Sequence, residues 1–267
     1  MARVLAAVAS RLDSKRLPRK AIVDVAGVPL ARRVLDVASQ MAGVNEVALC
    51  TTKRGVDDEL CDHARRWGHR TTRGEEQDML SRFLDAAAEL NADYVVRVTG
   101  DNPFSDPDYA SALIRDVVKR GADYGRTQPL PLGATVEVMS VPMMQRLHAA
   151  MADPNESEYL MLYAFAPDAN RCLVHEPDAA GHRQPELSLT VDTSDDLSFA
   201  SEVFRRLGGR RVGLTAILEV AKDLLPARRL DAQATVKVPS GSMSFAALQE
   251  MLHERAMRSE RQAVAVS

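Results

Sequence analysis

The densest chemistry in the sequence is a basic stretch near its start. Arg11, Lys15, Arg16, Arg19 and Lys20 place five positive charges within ten residues, against the single carboxylate of Asp13, and Ser14 adds a hydroxyl. Guanidinium and ammonium groups on one loop, with backbone N–H groups between them, suit a chain of phosphates. The stretch follows Val4-Leu5-Ala6-Ala7-Val8, a continuous apolar run that reads as a strand buried on both faces. In a parallel sheet, ligands bind where strands end at their carboxyl edge. Neither G-x-x-x-x-G-K-[ST] nor G-x-G-x-x-G occurs here, which excludes a Walker loop and a dinucleotide fingerprint. On charge alone, a solvated basic turn is the competing reading.

A carboxylate sits at another strand end. Arg97-Val-Thr-Gly-Asp101 closes the apolar run Asp93–Val98 with an aspartate just beyond a glycine. Mg²⁺ takes hard oxygen ligands and often bridges a carboxylate to substrate phosphates, so Asp101 is the first metal candidate. A turn-forming aspartate is the plainer reading of the same residue. Asp106, directly before Pro107, fits a helix N-cap.

These groups need a frame, and the first half of the chain supplies one. Apolar spacing predicts helices over 30–41, 57–67 and 75–90, strands over 46–49 and 93–98, and a helix from Pro107. Strands alternating with helices imply a mostly parallel sheet with helices on both faces, an α/β fold. Further on, strands are expected at 135–139 and 187–191, helices at 197–207, 215–225 and 243–257, and a frayed end over 259–267. No linker separates independent domains; the expectation is one catalytic unit over 1–226 and a partly helical C-terminal extension over 227–267.

Composition narrows the function. The chain has 267 residues and a formal net charge of −3, with 46% hydrophobic residues. It is long enough for a substantial core, its overall charge argues against a nucleic-acid polymer, and no apolar run is long enough to span a membrane. Cys50, Cys61 and Cys172 lack metal-ligand spacing, and the simple expectation is a reducing, cytoplasmic setting. The six histidines are scattered without ligand spacing and read as structural or surface residues.

The order of residues in the basic loop goes beyond charge. Arg11-x-x-Ser14-x-Arg16-Leu-Pro-x-Lys20 after an apolar strand, then Gly27-Val-Pro-Leu30 into a helix, resembles the nucleotide-binding signature of bacterial cytidylyltransferases. These are the acylneuraminate and 3-deoxy-manno-octulosonate enzymes and the spore-coat polysaccharide group. The resemblance runs from about Arg3 to Leu225. It departs at Asp13, where the family usually has glycine or alanine, and at Arg19, where it usually has glycine.

The resemblance implies a Rossmann-like nucleotide-diphosphosugar transferase fold and a set of roles. Arg11, Ser14, Arg16, Lys20, Arg73 and Gly74 would bind the nucleotide. Asp101 and Asp192, the latter in Leu189-Thr-Val-Asp192-Thr193, would hold Mg²⁺, while Thr193 and Ser194 cap the next helix. Arg11, Lys20, Asp101 and Asp192 would carry catalysis. Arg82, Glu137 and Glu158 would face the acceptor, although Glu158-Tyr-Leu-Met161 stands where spore-coat relatives usually carry Glu-His. The implied reaction moves CMP from CTP to a 2-keto-3-deoxy sugar acid or similar small acid and releases pyrophosphate; the implied assembly is a homodimer. Two alternatives remain open: a nucleotide-sugar-dependent glycosyltransferase using Asp106-Pro-Asp108 as its Asp-x-Asp motif, and a non-catalytic nucleotide-binding protein.

Overall fold

Strand β1 (Val4–Ala9) shows how this chain makes a two-faced sheet. Alternate side chains of a strand point to opposite faces. Val4, Ala6 and Val8 join one apolar core, and Leu5 and Ala7 join the other. Helices cover both: α1 (Leu30–Ala38), α2 (Asp58–Arg66), α4 (Pro107–Arg120), α7 (Ser194–Leu207) and α8 (Leu214–Val220) on the first face. The second face carries α3 (Met79–Glu89), α5 (Val141–Ala150), α6 (Leu160–Ala164) and α9 (Phe245–Met257). A fully buried side chain such as Leu5 or Phe83 contributes roughly 1.5–3 kcal/mol.

The computed structural model describes residues 2–14, 16–151, 153, 160–239 and 241–266. The remaining strands are β2 (Asp24–Val25), β3 (Val28–Pro29), β4 (Glu46–Thr52), β5 (Arg70–Gly74), β6 (Tyr94–Thr99), β7 (Tyr124–Thr127), β8 (Glu137–Ser140), β9 (Cys172–Pro177), β10 (Thr235–Val238), β11 (Gly241–Ser244) and β12 (Glu260–Val264). Among the described residues the main sheet runs β12-β9-β7-β8-β6-β1-β4-β5. Only β8 is antiparallel to its neighbours. This is the mixed, mostly parallel sheet flanked by helices that the sequence implies.

The order has a functional consequence. From β1 the chain moves outward through β4 to β5, then returns across the sheet so that β6 lies on the other side of β1. That reversal is a topological switch point, and it opens a crevice at the carboxyl ends of β1 and β6. The two strand ends approach closely: Gly100 N–H donates to the Ala9 carbonyl at 2.8 Å. A Cβ on Gly100 would lie 2.6 Å from the Ser10 side chain, so only glycine fits.

Several expectations change. Residues 187–191 do not form a regular strand; they make isolated bridges, Leu132 to Ser188 and Leu187 to Arg229. Residues 260–264 of the stretch expected to fray form β12, which pairs in parallel with β9 and buries Val264. The helix expected from Glu75 begins at Met79, capped by Asp78, whose side chain accepts from Ser81 N–H. The polar stretch after 227 contains a hairpin, β10–β11. Strands β5, β7 and β9 and helix α5 add to the expected set.

Candidate active site

The basic loop leaves β1 at the switch point and is pinned from below. Asp57, 1% exposed, accepts the Leu12 N–H on one carboxylate oxygen at 2.8 Å and the Thr52 hydroxyl on the other. The loop then passes through Arg19, whose backbone is left-handed with φ 55°. A side chain there costs about 1 kcal/mol, which explains why glycine is usual at this position in the family that the loop resembles. Arg19 pairs with Glu59 at 2.6 Å. The left-handed residue turns the chain so that Lys20 points back into the crevice.

Lys20 is the centre of the site. Its Nζ lies 3.0 Å from Asp101 Oδ2 and 2.8 Å from Asp192 Oδ1, and Arg16 reaches the same Asp192 oxygen at 2.9 Å. The two aspartates are 91 positions apart in sequence, yet their backbones are tied together: Val191 N–H donates to the Asp101 carbonyl at 2.9 Å. Segment 187–191 also exchanges backbone bonds with Leu132. Asp192 is held further by the next helix. Asp196 Oδ2 accepts from the Asp192 and Thr193 N–H groups at 2.9 and 2.8 Å, while Thr193 caps Asp196 in return, a capping box. Asp196 in turn pairs with Arg228, which also donates to the Ser188 carbonyl at 3.0 Å. Burial pushes the Asp196 carboxyl up, but Arg228 and the Asp192 N–H outweigh it and hold the group below its ordinary value.

The donor set fits a hard divalent cation. Two carboxylate oxygens converge on one point, which Lys20 Nζ holds in this structure. Among the described residues there is no group of three or more His, Cys, Asp and Glu side chains to form an all-protein cage. Mg²⁺ characteristically binds through one or two carboxylates and completes its shell with phosphate and water.

The other expected residues divide. Arg11 lies at the mouth of the crevice and pairs with Glu76 at 3.0 Å; Arg54 joins Glu76 to Asp13 at 2.8 and 2.7 Å. Ser14 lies on the same loop, its N–H on the Leu12 carbonyl. Arg73 supports the loop after β4, donating to the carbonyls of Thr52 and Arg54 and pairing with Asp58 at 2.5 Å. Gly74 makes room for α3, since a Cβ would lie 2.9 Å from Arg82. Arg82 is buried and donates to the carbonyls of Glu75 and Glu76, so it shapes that loop from beneath. Lys15 and Glu158 lie outside the described residues.

Beyond Asp101 a cavity of about 330 Å³ extends along the sheet edge to Arg97, Arg126 and Glu137. Glu137 is buried between Arg97, which pairs with one oxygen, and the Tyr124 hydroxyl, 2.6 Å from the other. Burial alone would raise its carboxyl, but Arg97 and Arg126 hold it below its ordinary value. A larger cavity, about 490 Å³, lies between α8 and the 181–187 segment. It contains none of the strand-end residues, so the chemistry is assigned to the switch point. The Asp-x-Asp candidate is structural: Asp106 caps α4 and also accepts from Leu214 N–H at 2.7 Å, and Asp108 pairs with Arg211. Sequence reasoning missed Arg54, Asp57, Glu76, Arg126 and Arg228. Arg54 follows the end of an expected strand, so the rule that located Asp101 would have found it; Glu76 follows β5, which the sequence pattern did not show.

A sheet with a basic loop and two converging carboxylates at its switch point defines a nucleotide-handling transferase. The sequence profile of the cytidylyltransferase family matches residues 5–225, and the chain belongs to that family. It is a CTP-dependent nucleotidyltransferase. It is 26% identical to the spore coat polysaccharide biosynthesis protein SpsF of Bacillus subtilis over 212 residues, covering 78% of this chain and 88% of that one. A cytidylyltransferase structure from Leptospira borgpetersenii superposes with a TM-score of 0.76 at 20% identity, over 86% of this chain and 97% of that one. A CMP:2-keto-3-deoxy-manno-octonic acid synthetase complexed with CTP superposes at 0.61 and 16% identity, over 76% and 99%. Among the described residues, no helix is long and apolar enough to cross a membrane.

Proposed function

We propose that this enzyme transfers CMP from CTP to a small acidic acceptor, of the sugar-acid type, and releases pyrophosphate. The observation that carries the reading is the convergence of Lys20 and Arg16 with Asp101 and Asp192 at the switch point, with a cavity opening directly beyond Asp101. The basic loop binds the β- and γ-phosphates and stabilises charge on the departing pyrophosphate. The acceptor cavity is lined by Asp101 and by none of Arg11, Arg16 and Lys20, so an acceptor oxygen would reach the α-phosphorus from the Asp101 end. Asp101 and Asp192 would hold Mg²⁺, which would supply charge stabilisation to the transferring phosphate. On binding, Lys20 exchanges its carboxylate partners for phosphate. Little covalent chemistry is asked of the protein, so positioning and electrostatics dominate.

A further part of the reading is that the enzyme works as a homodimer, which light scattering on the eluted protein tests directly. The test of the reaction is mass spectrometry of products from CTP, Mg²⁺ and a sugar-acid library. The expected product is a CMP-conjugate formed with one pyrophosphate per turnover. Hydrolysis of CTP without a conjugate, or conjugates formed equally well from ATP or GTP, would overturn it.

A further inference from the structure

The cavity beyond Asp101 is not closed by the family-matched part of the chain alone. The family match ends at residue 225, and Val236 and Val238 of β10 together with Leu248 of α9 form part of the lining. Val136 and Leu162 also line the cavity, and Lys237 of the same strand adds a cation to this largely apolar wall. The sheet side of the lining is charged as well. There Glu137 is neutralised by Arg97 and further held by the Tyr124 hydroxyl. Arg126 forms no such pair: its Nε and Nη1 are buried and have no hydrogen-bond partner among the described residues, whereas Arg97 has only its Nε in that state. A buried guanidinium with unmet donors carries a desolvation penalty that an anionic ligand group would remove.

We infer that the C-terminal hairpin β10–β11 and the start of α9 are the acceptor-selecting wall of the active site, and that the cavity they close takes a small acid whose anionic group lies against Arg126. The inference rests on the cytidylyl-transfer reading and adds the occupant's polarity and the segment that selects it. The occupant presents its nucleophilic oxygen at the Asp101 end and its acid at the Arg126 end, with its less polar edge against Val236 and Val238. A volume of about 330 Å³ fits a single small molecule.

The test uses the full-length chain and two measurements. Calorimetry with CTP and Mg²⁺ reads the nucleotide site. Pyrophosphate release with 3-deoxy-manno-octulosonate, N-acetylneuraminate and shorter hydroxy acids, each beside its neutral amide, reads the acceptor site. The wild type should use at least one acid and at least ten-fold less of its amide. Val236→Asp places a carboxylate on the hairpin wall and Arg126→Gln removes the cation; each should raise the acceptor KM at least ten-fold and leave the CTP Kd within two-fold. Arg126→Lys should recover part of the loss. An unchanged acceptor KM in Val236→Asp would overturn the role of the hairpin. CTP binding with no preference for acids over amides, or with no acid accepted, would overturn the occupant. Failure of the wild type to bind CTP is a separate result, and it would defeat the underlying reading. Val236→Asp and the acid–amide comparison stand even where Arg126→Gln does not fold.

Discussion

Arg228 lies beyond the family match and bonds to Asp196 and the carbonyls of Ser188 and Thr190 rather than to either proposed carboxylate ligand, yet it should control one of them. Its guanidinium pairs with Asp196, the side chain whose other oxygen holds the backbone N–H groups of Asp192 and Thr193. Both side chains of the pair are 12% exposed. Removing one partner of a buried pair costs about 3–5 kcal/mol, because the remaining charge stays buried. Asp196 keeps its two N–H donors, so Arg228→Met should sit at the lower end, about 3 kcal/mol. The turn that aims Asp192 at Lys20 loosens with it, and pyrophosphate release should fall about 10–100-fold, the usual cost of removing a group that orients a ligand. The pH dependence should shift as well. A carboxyl held low in the folded state contributes stability above its unfolded pKa, near 3.9, and loses it as pH falls through the folded value. Without Arg228 the burial of Asp196 is less opposed, so acid destabilisation should begin at a higher pH than in the wild type. Urea unfolding at several pH values, with pyrophosphate release measured against Mg²⁺ concentration, checks both parts. A loss under 1 kcal/mol with unchanged Mg²⁺ dependence would refute the chain of support from Arg228 to Asp192.

Other expectations follow from the same geometry. Lys20→Met should lower pyrophosphate release about 10²–10³-fold, since an oriented cation is removed from the phosphate site; steady-state kinetics read this directly. Gly100→Ala should destabilise by about 1–3 kcal/mol in denaturant, because the new Cβ meets Ser10 and the Ala9 carbonyl. Arg19→Gly should be neutral or stabilising by up to about 1 kcal/mol, as relief of the left-handed backbone offsets the lost Glu59 pair. Burial lowers the His175 imidazole to about 4, against the opposing pull of Asp116. A histidine held low loses stability as pH falls from about 6.5 towards that value, so His175→Gln should flatten the stability profile across this window.

The parts of the fold that were legible in sequence are those with strong, local signals. The apolar run of β1 and the Asp106-Pro107 start of α4 form where their spacing places them, and the apolar stripe of α3 is helical although the helix starts four residues later than expected. Three of the stretches not read as strands, β5, β7 and β12, carry polar or small residues for tertiary reasons. In β5, Arg70-Thr-Thr-Arg-Gly is half-buried against β4 and must end in glycine beneath Arg82. In β7, Tyr124-Gly-Arg-Thr devotes Tyr124 and Arg126 to the Glu137 cluster and its cavity. β12 is an edge strand whose charged residues pair outward, Glu260 with Arg120 and Arg261 with Glu176, so its composition resembles a loose tail. The site divides in the same way. Lys20, Asp101 and Asp192 could be named because each follows a strand or turn with a recognisable order. Asp57, Arg126 and Arg228 act through contacts across the sheet that no local pattern encodes.

The central claim is that Lys20, Asp101 and Asp192 form the metal–triphosphate site of a cytidylyl-transferring enzyme. Calorimetric titration of CTP with Mg²⁺ into the wild type and into Asp192→Ala tests it most directly. The account predicts saturable one-to-one binding that requires Mg²⁺, prefers CTP over ATP and GTP, and weakens at least ten-fold in the variant with its melting temperature nearly retained. Equal affinity in wild type and variant, or binding indifferent to Mg²⁺, would contradict it.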